Sequence, residues 1–311
     1  MSTAPFFAEV ADGPEGGRAY WLAAADGRRI RLGMWNSDAP QGTVLLLPGR
    51  TEYIEKYGRA AGDLAKRGYA TLAIDWRGQG LADRALDDKM SGHVADFAEY
   101  QLDLDAMIAF AVSQALPQPF YLIAHSMGGC IGLRGLMRGI PVQAAAFSAP
   151  MWGILMAAWL RPMASVIASA SRLLNLDSRY APGTGAKTYV LEAAFSGNSL
   201  TSEPEMWEYM RKQAQAHPEL TLGGPSLGWV RAALGECHAL GLMHAPPIPT
   251  VCALGSAEKI VDLAPIHTRM AGWATGQLDL YQGSEHEVMM ERPATRARFF
   301  DQATALFSMH R

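Results

Sequence analysis

The 311-residue sequence predicts an α/β protein with a mostly parallel, doubly wound sheet and a helical insertion. Short apolar runs alternate with segments of helical periodicity over residues 18–150, which is typical of successive strand–helix–strand units. The alternation lapses over 151–246 and resumes over 247–311. Ser126 stands where one apolar run turns directly into a helix. We therefore expect a core built from residues 1–150 and 247–311, and a helical cap over residues 151–246.

The elements follow from the local pattern. A hairpin turn at Asp26-Gly27 joins the first two strands, and Gly68 closes the first helix. The predicted strands span 18–24, 28–35, 44–47, 69–74, 120–124, 142–148, 249–254 and 277–281. The predicted helices span 53–67, 94–115, 127–138, 262–273 and 291–307. The cap thus enters between the sixth and seventh strands, over the carboxyl ends where α/β proteins bind ligands.

Ser126 lies in Ala124-His-Ser-Met-Gly128, a nucleophile elbow of the form G-x-S-x-G with alanine as its first residue. A serine between a strand and a helix takes a strained backbone conformation, and small residues two positions away avoid a clash. Its hydroxyl is then exposed at the helix N-terminus, where backbone amides favour a developing anion. The structural alternative is a serine that only caps the helix.

Two further residues complete a nucleophile–base–acid set. Glu258 follows the next-to-last strand, and His286 follows the last. A serine hydroxyl is a weak nucleophile, so a histidine must accept its proton and a carboxylate must orient that histidine. We expect Ser126, Glu258 and His286 to be catalytic. Asp262 is the alternative acid, although its position favours capping of the following helix.

An oxyanion hole needs two backbone N–H donors. Met127, directly after the nucleophile, is one candidate. The second is expected in the turn after strand 44–47, where Pro48 has no N–H and Arg50 is the candidate.

Composition excludes several classes of function. The net charge of −3 and pI of about 6.2 give no basic surface for nucleic acid. Three widely spaced cysteines, Cys130, Cys237 and Cys252, indicate neither a disulfide framework nor a zinc site. The N-terminal residues lack the pattern of a signal peptide, and Arg161-Pro162 interrupts the apolar stretch 151–176. We expect a cytoplasmic protein without a membrane span or metal. Peripheral contact with the inner membrane face stays open, as does the oligomeric state.

These motifs resemble the α/β-hydrolase superfamily, and more narrowly its lysophospholipase L2 and monoacylglycerol lipase group, which is also classed with serine aminopeptidases. The resemblance covers residues 20–307 and rests on the segments 48–57, 75–80, 124–129, 148–151, 200–205, 223–231 and 255–262, with His286-Glu287. It implies the α/β-hydrolase fold and a serine hydrolase that needs no cofactor and cleaves single-acyl lipid esters, with a lysophospholipid as the expected substrate. The cap residues Trp152, Leu155, Met156 and Trp159 would line an acyl tunnel.

The chain departs from the pattern of these relatives at three positions. Many have His-Gly at Pro48-Gly49 and Gly at Ala124, and monoacylglycerol lipases have Asp at Glu258. The third departure leaves the identity of the acid open. Three other functions remain open: a monoacylglycerol or short-ester hydrolase, an aminopeptidase that binds the substrate amine through Glu192, Glu203, Glu205 or Glu208, and a binding protein without turnover.

Overall fold

The computed structural model describes residues 2–155 and 176–311. Within them, nine strands form one sheet in the order β1-β2-β3-β5-β4-β6-β7-β8-β9. The strands are β1 Ser2–Ala4, β2 Arg18–Ala23, β3 Arg29–Trp35, β4 Thr43–Leu47, β5 Ala70–Asp75, β6 Phe120–His125, β7 Ala145–Ser148, β8 Thr250–Gly255 and β9 Gly276–Tyr281. The first three strands pair antiparallel along one edge, and β4 to β9 pair parallel.

Helices cover both faces of the sheet. Those in the described ranges are α1 Ala8–Ala11, α2 Gly58–Ala65, α3 Ala98–Ser113, α4 Ser126–Met137, α5 Tyr189–Glu192, α6 Pro204–Ala216, α7 Leu227–Gly241, α8 Leu263–Ala271 and α9 Pro293–Met309. Short 3₁₀ turns span Ile54–Tyr57, Pro218–Leu220 and Val288–Met290. Among the described helices, none is long and apolar enough to cross a membrane.

The two hydrophobic cores arise from the alternation of side chains along each strand. Every residue of β4 and of β6 is buried, as expected for parallel strands covered on both faces. Leu45 and Leu47 join the core under α3, α4 and α7, whereas Val44 and Leu46 join the core under α2, α6 and α9. The sequences of the central strands are therefore nearly continuous apolar runs.

The doubly wound fold and all eight predicted strands are confirmed. The structure adds β1, a three-residue strand that pairs with β2. The helical insertion therefore follows the seventh strand of the sheet rather than the sixth. The predicted helix 94–115 begins only at Ala98, where the amide donates to the side chain of Asp96 at 2.9 Å. The predicted helix 53–67 is divided into a 3₁₀ turn and α2.

Candidate active site

Ser126 is the first residue of α4 and directly follows β6. Its φ of 50° lies in the left-handed region, the strained conformation expected of a nucleophile elbow. A Cβ at Gly128 would lie 2.2 Å from the carbonyl oxygen of Leu47, so glycine lets the first turn of α4 approach the end of β4. Ser126 is partly exposed while both of its neighbours are buried. The hydroxyl-bearing residue is thus the accessible point of a tightly packed turn.

His286 and Glu258 are joined by a hydrogen bond. The Nδ1 atom of His286 lies 2.6 Å from Oε2 of Glu258, and both residues are buried. The other carboxylate oxygen accepts the amide N–H groups of Ile260 and Val261 at 2.6 and 3.2 Å. Burial raises the pKa of Glu258, but the hydrogen bond and charge of His286 and the two amides outweigh it, so the pKa lies below its ordinary value. Glu258 is held as a carboxylate facing the imidazole.

Asp262 lies at the start of a helix. It is the N-cap residue of α8, and its side chain accepts the amide N–H of Ala264 at 3.1 Å. Of the two acids that the sequence offered, the structure joins Glu258 to His286 and gives Asp262 a helix-capping contact.

The loop after β4 is held by residues that follow β5. Trp76 Nε1 donates to the Pro48 carbonyl, and Gln79 Nε2 donates to the Gly49 carbonyl, each at 3.0 Å. The Gln79 side chain also accepts the amide of Thr51 at 3.2 Å. These contacts give the sequence Asp75-Trp-Arg-Gly-Gln-Gly80 a structural role, because it fixes the backbone beside the nucleophile.

The backbone amides of this region are not equivalent. The Gly49 amide donates to the carboxylate of Glu52. The Arg50 amide makes no hydrogen bond to any residue in the described ranges, and Met127 lies in the first turn of α4, where helical N–H groups have no partner within the helix. The two predicted oxyanion donors are therefore amides whose N–H groups are available to donate a hydrogen bond.

Ser126 and His286 line one cavity of about 400 Å³. Its wall is largely apolar, and the residues that supply the apolar surface include Met151, Ile154, Val190, Leu200, Met210 and Val261. Most of the described apolar wall comes from the insertion between β7 and β8.

The predicted acyl-binding residues differ from those that line this cavity. The prediction that Trp152 lines an acyl tunnel is wrong. Its indole donates to the Gly129 carbonyl at 3.1 Å, and its ring packs against Phe147 and Trp273 in the core. Leu155 does not line the cavity and is 51% exposed. Met156 and Trp159 lie outside the described residues. Met151 and Ile154 supply the wall instead.

Similarity to known proteins identifies the family of the chain. The family described as serine aminopeptidase, S33, matches residues 38–293. The chain belongs to the serine aminopeptidase S33 family. Lysophospholipase L2 of Escherichia coli strain K12 is 31% identical over 281 residues, covering 86% of this chain and 80% of that protein. Probable lysophospholipase L2 of Haemophilus influenzae is 28% identical over 275 residues, covering 86% of each chain.

Solved structures show the same fold at lower identity. A soluble variant of monoglyceride lipase from Saccharomyces cerevisiae, in complex with a substrate analog, has a TM-score of 0.70 at 19% identity and covers 94% of this chain and 95% of its own. Monoacylglycerol lipase from Paleococcus ferrophilus has a TM-score of 0.66 at 17% identity, covering 89% and 98%. The fold of this S33 family member is the α/β-hydrolase fold.

This S33 family member has a buried charge network next to the site, which the sequence analysis does not predict. Lys56 Nζ lies 2.7 Å from Glu52 and 2.7 Å from Glu287, and all three side chains are buried. Tyr57 donates to Glu52 at 2.5 Å. Two signals were present: Glu52 and Lys56 are four residues apart, and Glu287 directly follows His286.

The ionisation of this network follows from its contacts. Burial raises the pKa of Glu52, but the charge of Lys56 and its hydrogen bonds outweigh it and lower the pKa to about 2. Burial opposes the charge of Lys56, yet Glu287 and Glu52 together raise its pKa. Burial lowers the pKa of His125 to about 4, so that this ring is neutral near pH 7. Its Nδ1 donates to the Ser148 carbonyl at 2.9 Å.

Glu52, His125 and Glu287 are also the one group in the described chain whose donor atoms, within 4.8 Å of one another, could hold a metal. The Lys56 ammonium contacts both carboxylates at 2.7 Å. A cation supplied by the chain itself therefore already lies between these two acids.

Proposed function

We propose that this protein hydrolyses the carboxylic ester of single-acyl lipids, with lysophospholipids as the principal substrate class, through an acyl-enzyme on Ser126. One observation carries the proposal. A strained serine and a histidine that is hydrogen-bonded to a buried carboxylate open onto the same apolar cavity. An apolar wall beside a nucleophile favours an acyl chain over a polar substrate.

In the proposed reaction, Ser126 Oγ attacks the ester carbonyl carbon while His286 accepts the hydroxyl proton. Glu258 orients the imidazole and stabilises the imidazolium that forms. The amides of Arg50 and Met127 donate to the carbonyl oxygen as it becomes negative. The imidazolium then gives its proton to the leaving alcohol. Water next attacks the acyl carbon while His286 accepts the water proton, and that proton passes to Ser126 Oγ as the fatty acid is released.

The relatives support the lipid class. Two proteins that cover most of this chain carry the name lysophospholipase L2. The described cavity wall is consistent with their name, because it offers apolar side chains from the insertion to an acyl chain. We also propose residues 151–246 as the cap. Its Ser199 and Leu200 carbonyls accept the amides of His286 and Glu287 at 3.2 and 2.8 Å, which supports a role in placing the histidine loop.

The family description gives aminopeptidase activity as the second candidate. A peptidase of this kind needs a carboxylate to bind the substrate amine. Each of the four glutamates proposed for that role lies outside the described cavity wall: Glu192 pairs with Lys187, Glu203 caps α6, Glu205 pairs with Arg59, and Glu208 pairs with Arg211. The cavity carboxylates, Glu52 and Glu287, already bind Lys56. This arrangement favours ester hydrolysis over aminopeptidase activity.

We further propose a cytoplasmic location with peripheral contact to a membrane. Apolar side chains on the insertion are exposed at Leu155, Leu176, Tyr189 and Leu191, which supports contact with a lipid surface. Cosedimentation with anionic vesicles tests it, and Leu191→Glu with Tyr189→Glu should release the protein.

The proposed function is tested with a substrate panel: a lysophospholipid, a monoacylglycerol, p-nitrophenyl acetate and an aminoacyl anilide. The lipid esters should be cleaved and the anilide spared, and Ser126→Ala should lower ester turnover about 10⁴-fold or more. Ser148→Ala is the matched control, since Ser148 is buried at the end of β7 and does not line the cavity. If a fluorophosphonate fails to label the wild type at Ser126, the protein is a binding protein without turnover.

A further inference from the structure

Arg50 lines the cavity, and its guanidinium lies over the ring of Trp229, which is another lining residue. In the described part of the chain, no carboxylate lies within 4.0 Å of its guanidinium. Residues 156–175, outside that part, contain neither Asp nor Glu. By contrast, Arg31 pairs with Glu55 and Asp75. A largely buried guanidinium without a carboxylate is unusual, because buried charges are normally paired.

The contacts of Arg50 hold the guanidinium without neutralising it. Nη2 donates to the Gly223 carbonyl at 2.7 Å, and the group lies over the Trp229 ring at 5.3 Å. Nε is buried without an acceptor, and Nη1 makes no hydrogen bond with any described residue. A guanidinium has five N–H donors, so most of its donor capacity is unused here. Burial lowers the pKa of Arg50 to about 10, and the group stays charged near pH 7.

Arg50 is also anchored beside the nucleophile. A Cβ placed on Gly49 would lie 3.1 Å from the Cβ of Ser126, so the loop that carries Arg50 packs directly against the elbow. The Arg50 amide and its guanidinium are therefore two donor groups separated by one side chain, with the amide next to the reacting ester. In a lysophospholipid, a three-carbon glycerol unit separates the ester from an anionic phosphodiester, which is a comparable spacing.

We propose that the Arg50 guanidinium is the subsite for the phosphodiester of the lysophospholipid head group. The inference rests on the proposed function and adds its substrate preference. Arg is suited to this task because its planar donors match the oxygens of a phosphate. A monoacylglycerol with the same acyl chain has no anion and leaves the guanidinium unneutralised. The subsite should therefore make the enzyme prefer lysophospholipid over monoacylglycerol.

The test measures kcat/KM for lauroyl-lysophosphatidylcholine and monolauroylglycerol, both below their micelle concentrations. Arg50→Gln keeps the backbone amide. It should lower the ratio of kcat/KM for the lysophospholipid to kcat/KM for the monoacylglycerol about tenfold or more, because one charge-assisted hydrogen bond is lost. Arg50→Lys should recover part of the ratio. Lys187→Gln is the matched control, because Lys187 is exposed, pairs with Glu192 at 2.6 Å and adjoins the wall residue Thr188. Its ratio should stay within about twofold of the wild type.

An equal loss on both substrates would overturn the assignment and give Arg50 a role only in loop placement. If Arg50→Gln does not fold, inhibition of the wild-type enzyme by head-group analogues tests the subsite instead. Glycerophosphocholine, but not glycerol, should inhibit monolauroylglycerol hydrolysis competitively. Inhibition by inorganic phosphate alone, or by none of these, would contradict a head-group subsite. A wild type that cleaves neither lipid refutes the proposed function itself, whereas cleavage of both with an unchanged ratio in Arg50→Gln refutes only the subsite.

Discussion

The ammonium nitrogen of Lys56 lies 2.7 Å from the carboxylate of Glu287, the residue that directly follows His286. The same ammonium contacts Glu52, and Glu52 accepts the amide of Gly49. One buried cation thus connects the loop that carries His286 to the loop that carries Arg50, the proposed oxyanion donor. The two parts of the site come from distant parts of the chain, and this network fixes them to each other.

Lys56→Met should destabilise the protein strongly. The substitution leaves Glu52 and Glu287 buried without their counter-ion, and removal of one partner from a buried ionic group costs about 3–5 kcal/mol. Lys66→Met is the matched control, since Lys66 is 78% exposed and lies 3.9 Å from Asp63; it should cost less than about 0.5 kcal/mol. Urea denaturation followed by fluorescence measures both. Equal midpoints for the two variants would show that the network contributes nothing.

The low pKa of Glu52 predicts a specific loss of stability in acid. Its pKa is about 2 in the folded protein against an ordinary value of 4.5, so the unfolded chain binds more protons between these values. The contribution of Glu52 is complete above about pH 5 and falls as the pH approaches 2. The difference in unfolding free energy between wild type and Glu52→Gln should therefore shrink by about 1 kcal/mol between about pH 5.5 and about pH 3.5. A difference that is constant or grows in acid contradicts the assigned ionisation.

The features that could be predicted from the sequence are local ones. The strands and the elbow around Ser126 depend on neighbouring residues, and the capping position of Asp262 is visible beside Leu263. The strand Ser2–Ala4 was missed because three small or polar residues carry no alternation signal. Its stability comes from pairing with β2, which only the folded chain provides.

The cavity wall could not be predicted for a different reason. Residues 151–155 are mostly apolar, and a run of that kind does not indicate which side chains face a cavity. Trp152 enters the core because its indole N–H finds the Gly129 carbonyl, while Ile154 pairs with Val261 in the wall. The role of Glu287 likewise depends on Lys56, which lies more than two hundred positions earlier in the chain.

Glu258 should matter more for turnover than Asp262. Glu258→Gln removes the charge that faces His286 and favours the wrong imidazole tautomer, a change that lowers kcat by up to ~10⁴-fold in other triads. Asp262→Ala should instead weaken the N-cap of α8 by about 1 kcal/mol. Steady-state kinetics and thermal melting of both variants separate the two effects. The opposite ranking in kcat would transfer the acid role to Asp262.

The apolar wall predicts a dependence of rate on acyl length. Each methylene buried in the cavity adds about 0.8 kcal/mol to binding, so kcat/KM should rise up to ~4-fold per methylene and stop rising once the cavity is full. p-Nitrophenyl esters from acetate to laurate, measured below their micelle concentrations, give the profile. A flat profile together with cleavage of aminoacyl anilides would support the aminopeptidase instead.

Ile154→Trp should shift that maximum to shorter chains, because Ile154 lines the cavity and a larger side chain there occupies the space of several methylenes. Acetate esters, which do not reach the wall, should keep near wild-type rates. Leu155→Trp provides the matched control, since Leu155 is the next residue, is 51% exposed and does not line the cavity. Its profile should follow the wild type. If both tryptophan variants shift the maximum equally, or neither does, the acyl chain does not bind along the wall that contains Ile154.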